Sequence, residues 1–158
     1  MEYTGTLKVN GRCRSLTVHP TMSLLDALRE KLGVTGPKKG CGTGDCGTCL
    51  VLLDGLPVNS CLVPALAAQG RTIITVEGLG TPANPHPLQA AIVELGGTQC
   101  GICTPGILIA LKGLLDENPD PTEDDIRFAI SGNLCRCTGY MKIIETAMEA
   151  ARRMATAQ

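Results

Sequence analysis

The stretch Cys41-Gly42-Thr43-Gly44-Asp45-Cys46-Gly47-Thr48-Cys49 decides the architecture of the first half of this chain. Its three cysteines follow the spacing C-x4-C-x2-C, and eleven residues separate Cys49 from a further cysteine, Cys61. Thiolates that converge on a small cluster need a tightly wrapped backbone, and glycine permits the positive φ values that such wrapping requires. The wrapping also directs backbone N–H groups at the sulfur atoms and balances their negative charge. The stretch therefore predicts a metal cluster held by a loop.

This spacing is typical of plant-type [2Fe–2S] ferredoxins, so the predicted ligands are Cys41, Cys46, Cys49 and Cys61. Two other interpretations stay open at this point. Structural zinc sites also use C-x2-C pairs, and Cys46-Gly47-Thr48-Cys49 has the form of a redox-active CxxC motif. Residues 42–47 also match G-x-G-x-x-G. That match does not predict a dinucleotide site, because it follows no clear strand and opens no clear helix.

A second set of four cysteines lies in the other half of the chain, as Cys100-Gly101-Ile102-Cys103 and Cys135-Arg136-Cys137. A helix is predicted to begin just after each pair, and a helix N-terminus offers free N–H groups and the positive end of the helix dipole. Both features favour an anionic thiolate cluster. Two helix pairs packed antiparallel bring the four cysteines to one end, which predicts a second cluster. Two redox centres on one chain indicate a path for electrons rather than a substrate site.

The composition narrows the function classes. The chain has one Phe, two Tyr and no Trp, and its net charge is −1. Few aromatics and no basic stripe argue against nucleic-acid binding. No stretch of about 20 apolar residues predicts a membrane span. The first six residues lack the features of an export signal, so a cytoplasmic location is expected. There, dense cysteines serve as metal ligands more often than as disulfides.

The apolar pattern predicts a β-rich first half and a helical second half. Strands are expected at residues 4–9, 13–18, 50–53, 57–60 and 72–77. Helices are expected from Ser23 to Leu32, at 88–95, from Pro105 to Leu115, and at 122–130 and 140–154. The predicted domains are 1–78 and 88–158, with a Pro- and Gly-rich linker at 79–87. The ninth cysteine, Cys13, is predicted to be a small apolar core residue.

Two longer segments carry a family resemblance: Gln99-Cys100-Gly101-Ile102-Cys103-Thr104-Pro105-Gly106 and Asn133-Leu134-Cys135-Arg136-Cys137-Thr138-Gly139-Tyr140. Together with the glycine-rich stretch, they resemble the small iron–sulfur subunit of the molybdenum hydroxylases, the xanthine dehydrogenase and aldehyde oxidoreductase family. The resemblance spans roughly residues 4–153 and includes all eight ligand positions. It implies an α+β fold in which a plant-type ferredoxin β-grasp domain precedes a four-helix bundle, each with one [2Fe–2S] cluster.

The resemblance also implies a function. The chain is expected to be the electron-transfer subunit of an oxidoreductase that acts on an aldehyde, purine, N-heterocycle or aromatic substrate. Its expected partners are a large molybdopterin-binding subunit and a medium FAD-binding subunit. Cys137 is expected nearest the pterin and Gln99 against it, and no catalytic residue is expected on this chain. The alternative is a free-standing ferredoxin-like carrier, but a net charge near zero and a second cluster domain favour permanent assembly.

Overall fold

A five-stranded mixed sheet precedes four helices, and the computed structural model describes residues 1–156 of the chain. The strands are β1 (Tyr3–Val9), β2 (Arg12–Val18), β3 (Leu50–Leu53), β4 (Leu56–Asn59) and β5 (Thr72–Ile74). Their order in the sheet is β2-β1-β5-β3-β4. Strands β1 and β5 run parallel, and the other neighbours run antiparallel. The predicted α+β class and the ferredoxin-like first half are confirmed.

The hairpin between β1 and β2 turns at Asn10 and Gly11, as the Asn-Gly pair predicts. Both residues have positive φ, 49° and 77°. Positive φ at both central positions is the requirement of a type I′ turn, which matches the twist of the flanking strands. The turn brings Gly5 opposite Leu16 and sets the register of the pair.

Helix α1 (Leu24–Asp26) begins after Ser23, whose Oγ accepts a hydrogen bond from the Asp26 N–H at 3.0 Å. It continues as a π-helical turn (Ala27–Lys31), and Gly33, with a φ of 68°, ends it. The apolar spacing predicted the helix and both of its ends. The π-helical hydrogen bonding was not predicted, because the buried leucines occur at ordinary helical spacing.

Strand β5 is shorter than the predicted strand at 72–77. It ends at Ile74, and residues Val76–Gly78 form a 3-10 turn. Asn10 is the reason, because its side chain accepts from the Thr75 N–H and donates to the Thr75 Oγ1, both at 2.9 Å. These side-chain bonds replace the next rung of the sheet and end the strand.

The second half forms the four predicted helices. They are α2 (Pro87–Glu94), α3 (Thr104–Glu117), α4 (Glu123–Ala129) and α5 (Met141–Thr156). Thr122 and Asp125 form the predicted capping box, with the Asp125 N–H donating to Thr122 Oγ1 at 3.2 Å. Residues 157 and 158 of the predicted helical domain lie outside the described range. Within residues 1–156, no helix has the length and apolar character needed to cross a bilayer.

Two apolar cores stabilise the two halves. One lies between the sheet and α1, and the other lies among the four helices. Leu50 of β3 and the segment after β5 also pack against the helical core through Val76 and Leu79. Because Val76 and Leu79 lie on either side of residue 78, the domain boundary at that residue stays a prediction.

Cys13 is exposed, so its predicted place in the core is wrong. The alternation of β2 explains the error. Leu16 and Val18 face the core, and residues of opposite parity, such as Ser15 and Thr17, face solvent together with Cys13. Since side chains alternate between the two faces of a strand, the parity of Cys13 places it outside.

Candidate metal centres

The first cysteine set is built by the loop between α1 and β3 and by the turn after β4. The β3–β4 hairpin returns the fourth cysteine to the loop, as predicted. The set consists of Cys41, Cys46, Cys49 and Cys61. Gly42, Gly44 and Gly47 have positive φ values of 75°, 88° and 68°, which confirms the predicted tight wrapping. Residues 42–47 form bends and turns and open no helix, which agrees with the rejection of a dinucleotide site.

Hydrogen bonds arrange this first set as two pairs of thiols, Cys41 with Cys46 and Cys49 with Cys61. The Thr43 N–H donates to Cys41 Sγ and the Cys41 N–H donates to Cys46 Sγ, each at 3.4 Å. Hydrogen bonds from Thr43, and then from Cys46, lower the pKa of Cys41 to about 6. Burial, and then the hydrogen bond with Cys49, raises the pKa of Cys61 to about 11. The loop therefore stabilises a thiolate on its exposed side.

The second set lies at the beginnings of α3 and α5. Cys103 directly precedes α3 and is buried in the helical core, and Cys135 is half-buried. Cys100 and Cys137 are exposed. The packing of α3 and α5 thus brings the two cysteine pairs together at one end of the helical unit, as predicted.

This second set is also arranged as two pairs. Cys137 Sγ lies 3.6 Å from Cys100 Sγ, and Cys103 is hydrogen-bonded to Cys135. Burial, and then the hydrogen bond with Cys135, raises the pKa of Cys103 to about 12. Burial acts to raise the pKa of Cys135 as well, but hydrogen bonds from Thr138, Cys137 and Cys103 outweigh burial and lower it to about 7. Metal binding removes the thiol protons, so each pair is poised to release protons when a cluster is loaded.

The paired arrangement fits a two-iron cluster. Within residues 1–156, no three His, Cys, Asp or Glu side chains converge closely enough to hold a single metal ion. A structural zinc site needs four ligands around one atom, whereas a [2Fe–2S] cluster takes four thiolates, two on each iron. Four thiols in two pairs match the second requirement in both sets.

The two sets are joined by a backbone hydrogen bond. The Leu134 N–H donates to the Cys46 carbonyl oxygen at 3.0 Å, and Leu134 directly precedes Cys135. One cysteine of each set is therefore connected to the other through covalent bonds and a single hydrogen bond. The Asn133 side chain, 2% exposed, donates to the next carbonyl, that of Gly47, at 3.0 Å.

Glycines permit this close approach. A Cβ on Gly47 would collide with the Gly132 carbonyl and the Asn133 side chain, and a Cβ on Gly106 would collide with the Gly47 carbonyl. Sequence reasoning missed this contact. The available signal was Gly106 itself, because glycine in the first turn of a helix costs helix stability unless close packing requires it.

The two residues predicted to contact a pterin lie on one side of the second set. Gln99 and Cys137 are both exposed, and Gln99 precedes Cys100, the partner of Cys137. The apolar side chains of Ile102 and Leu134 beside the set are 53% and 59% exposed. The second set therefore has an uncovered, partly apolar face.

A ferredoxin-like sheet with one cysteine set and a helical unit with another define a class of protein, the two-cluster [2Fe–2S] electron carriers. Comparisons with known proteins agree. Residues 7–73 match the family described as "2Fe-2S iron-sulfur cluster binding domain", and residues 75–148 match the "[2Fe-2S] binding domain".

Individual relatives narrow the class. The chain is 48% identical to the nicotinate dehydrogenase small FeS subunit of Eubacterium barkeri, over 96% of this chain and 97% of that protein. The crystal structure of quinoline 2-oxidoreductase from Pseudomonas putida 86 contains a chain with a TM-score of 0.90 and 45% identity, and the match covers 96% of this chain and 97% of that one. Aldehyde oxidoreductase from Desulfovibrio gigas gives a TM-score of 0.93 at 43% identity, over 99% of this chain and 18% of that longer chain.

The chain therefore belongs to the family of small [2Fe–2S] subunits of the molybdenum hydroxylases. It carries two [2Fe–2S] clusters and transfers electrons as a subunit of an oxidoreductase. The resemblance drawn from the cysteine motifs is confirmed.

Proposed function

We propose that this chain relays electrons from a molybdopterin site on a large partner subunit to FAD on a medium subunit or to another acceptor. The hydrogen bond from Leu134 to the Cys46 carbonyl, at 3.0 Å, carries this proposal. It supplies a short connection between the two cysteine sets through the interior of the contact between the two halves. A through-chain relay needs such a connection.

The proposed ligands use all eight cysteines of the two sets. The first cluster is assigned to Cys41, Cys46, Cys49 and Cys61, and the second to Cys100, Cys103, Cys135 and Cys137. The arrangement of each set as two thiol pairs supports this assignment. Each cluster, when bound, accepts and releases one electron at a time. The chain's own residues hold the clusters and fix their separation, and no catalytic residue is assigned to it.

The uncovered face of the second set supports its place beside the molybdopterin subunit. Gln99 and Cys137 are exposed there, and Cys137 is the ligand proposed to lie nearest the pterin. The exposed apolar side chains of Ile102 and Leu134 are suited to burial against a partner. On the first set, Cys41 and the 60% exposed Leu62 form the proposed exit side.

The substrate of the complex is assigned to the large subunit. Names of relatives and of a structural neighbour refer to nicotinate, quinoline and aldehyde. These names support the substrate classes implied by the sequence: an aldehyde, a purine, an N-heterocycle or an aromatic compound. The proposed location is the cytoplasm, since dense cysteines in a reducing compartment serve as metal ligands.

Co-purification tests the proposal. The native protein is isolated with whatever it binds, and iron, molybdenum and flavin are measured per chain. We expect about four irons per chain, two distinct [2Fe–2S] EPR signals and a molybdenum-bearing large subunit. About four irons without a molybdenum-bearing partner would support the free-standing carrier instead, and two irons would overturn the assignment of two clusters.

A further inference from the structure

Tyr140 has a backbone conformation that its residue type disfavours. Its φ is +67°, and it is one of three non-glycine residues with positive φ among residues 1–156. The other two, Asn10 and Asp54, occupy Asn-Gly and Asp-Gly turns, where short polar side chains tolerate this conformation. A bulky tyrosine gains nothing from such a turn. Strain of this kind persists only where surrounding contacts over-determine it.

The phenol hydroxyl provides those contacts. It accepts a hydrogen bond from the Cys135 N–H at 2.8 Å and donates one to the Asn133 carbonyl at 2.9 Å. Its ring packs against the helical core. One hydroxyl thus ties together both ends of the three-residue segment 133–135 and anchors it to the first residue before α5.

The same segment makes both polar contacts to the first cysteine set. The Leu134 N–H donates to the Cys46 carbonyl and the Asn133 side chain donates to the Gly47 carbonyl, each at 3.0 Å. The hydrogen-bonding groups of this segment therefore point in two directions. Those at its two ends face Tyr140, and the Leu134 N–H and the Asn133 side chain face the loop of the first set.

We propose that Tyr140 is a positioning residue that holds segment 133–135 in the conformation joining the two clusters. This inference rests on the proposed relay and deepens it, because it names the side chain that keeps the connection closed. Without the hydroxyl, the Asn133 carbonyl and the Cys135 N–H lose their partner. The segment then leaves the Cys46 carbonyl for part of the time. Each hydrogen bond removed changes such an equilibrium by roughly threefold to tenfold.

Tyr140→Phe in the intact complex tests the proposal, and the other tyrosine supplies a matched control. Tyr3 is exposed, and its hydroxyl contacts the Met1 sulfur. One electron per complex is introduced by a laser-flash photoreductant, and its redistribution between the two cluster signals is followed by rapid-freeze EPR. We expect about a tenfold slower exchange in Tyr140→Phe, with both signals and the iron content retained, and no change in Tyr3→Phe. Hydrogen–deuterium exchange is expected to accelerate at residues 133–135 and not elsewhere in the helical unit.

Unchanged electron exchange together with unchanged protection at 133–135 would overturn the inference, even if Tyr140→Phe lowers the melting temperature. Iron content and the two EPR signals of the unmodified complex report on the relay itself, so the two proposals fail separately. If Tyr140→Phe does not load its second cluster, Asn133→Ala decides. This variant removes the side-chain bond to Gly47 and leaves Tyr140 in place. Slower exchange in that variant supports the role of the segment, and an unaltered rate refutes it.

Discussion

The two cysteine sets reach the same paired arrangement by different means. In the first, three of the four thiols lie within nine residues, and positive-φ glycines wrap one loop around them. In the second, the thiols come from two helix beginnings that are far apart in the chain, and helix packing brings them together. The first site is therefore a local structure attached to a sheet. The second exists only when the helical core is formed.

The hydroxyl groups beside the sulfur atoms differ in the same way. Thr138 Oγ1 lies 3.1 Å from Cys135 Sγ and accepts the Tyr140 N–H, so its own O–H is free to donate to the sulfur. Thr48 Oγ1 lies 3.3 Å from Cys46 Sγ, but its O–H donates to the Lys38 carbonyl at 3.0 Å. The comparison indicates that the second site has a tuning hydrogen bond that the first lacks.

The largest effect is expected from removing a ligand of one site alone. Cys137→Ala should abolish the EPR signal of the second cluster and retain the plant-type signal, because the two sets share no cysteine. Iron should fall from about four to about two per chain. Cys13→Ala is the control, since Cys13 is exposed on β2 and belongs to neither set. Loss of both signals in Cys137→Ala, or of neither, would contradict the assignment of separate sites.

The contact between the sites is tested by Gly106→Ala. The new Cβ would collide with the Gly47 carbonyl, and backbone on both sides prevents an easy adjustment. We expect a loss of about 1–3 kcal/mol in unfolding free energy, measured by denaturant titration of the loaded complex. Alanine is the better helix former, so any destabilisation must come from the contact. Gly132→Ala is the control, because a Cβ there meets no atom within 4 Å. Equal stability of the two variants would show that the sites are not tightly packed together.

Much of each half could be predicted from local patterns. The Asn10-Gly11 turn, the Ser23 cap and the Thr122 capping box depend on neighbouring residues, and all three are present. The bond from Leu134 to the Cys46 carbonyl could not be predicted, because it joins backbone groups that are distant in the chain and carry no side-chain signal. The short β5 has a similar cause, since a distant side chain, Asn10, satisfies Thr75.

A subtler difference between the sites is expected in their potentials. Thr138→Val removes the hydroxyl that faces Cys135 and keeps the shape of the side chain. A hydrogen bond to a ligand sulfur stabilises the reduced cluster, so its loss should lower the midpoint potential of the second cluster. One such bond, worth about 1 kcal/mol, corresponds to about 40 mV for one electron. Thr48→Val should shift the first cluster less, as its O–H is committed to Lys38. Potentiometric titration followed by EPR measures both, and an equal shift in the two variants would remove the proposed distinction.

The smallest effect is expected at the far end of the helical unit, where neither cluster is touched. Arg153 joins α5 to α2 through Glu94 at 2.5 Å and contacts Glu149 at 2.7 Å, whereas Arg152 contacts only Glu149 on its own helix. Arg153→Ala should lower the melting temperature by a few degrees at most, Arg152→Ala by less, and both differences should shrink at high salt because the pairs are exposed. Both EPR signals should stay unchanged, which separates helix packing from cluster binding.

The pH dependence of this tie gives its sign. Hydrogen bonds from Arg152 and then Arg153 lower the pKa of Glu149 to about 2 from an ordinary value of 4.5. A carboxyl whose pKa is lowered by folding stabilises the protein fully above its unfolded pKa and loses that contribution as the pH falls towards its folded pKa. The difference between the unmodified protein and Arg153→Ala should therefore be constant above about pH 5 and shrink as the pH falls from 4.5 towards 2. Melting curves across that range test this, and a difference that grows in acid would mean that the arginine acts through packing of its aliphatic stem instead.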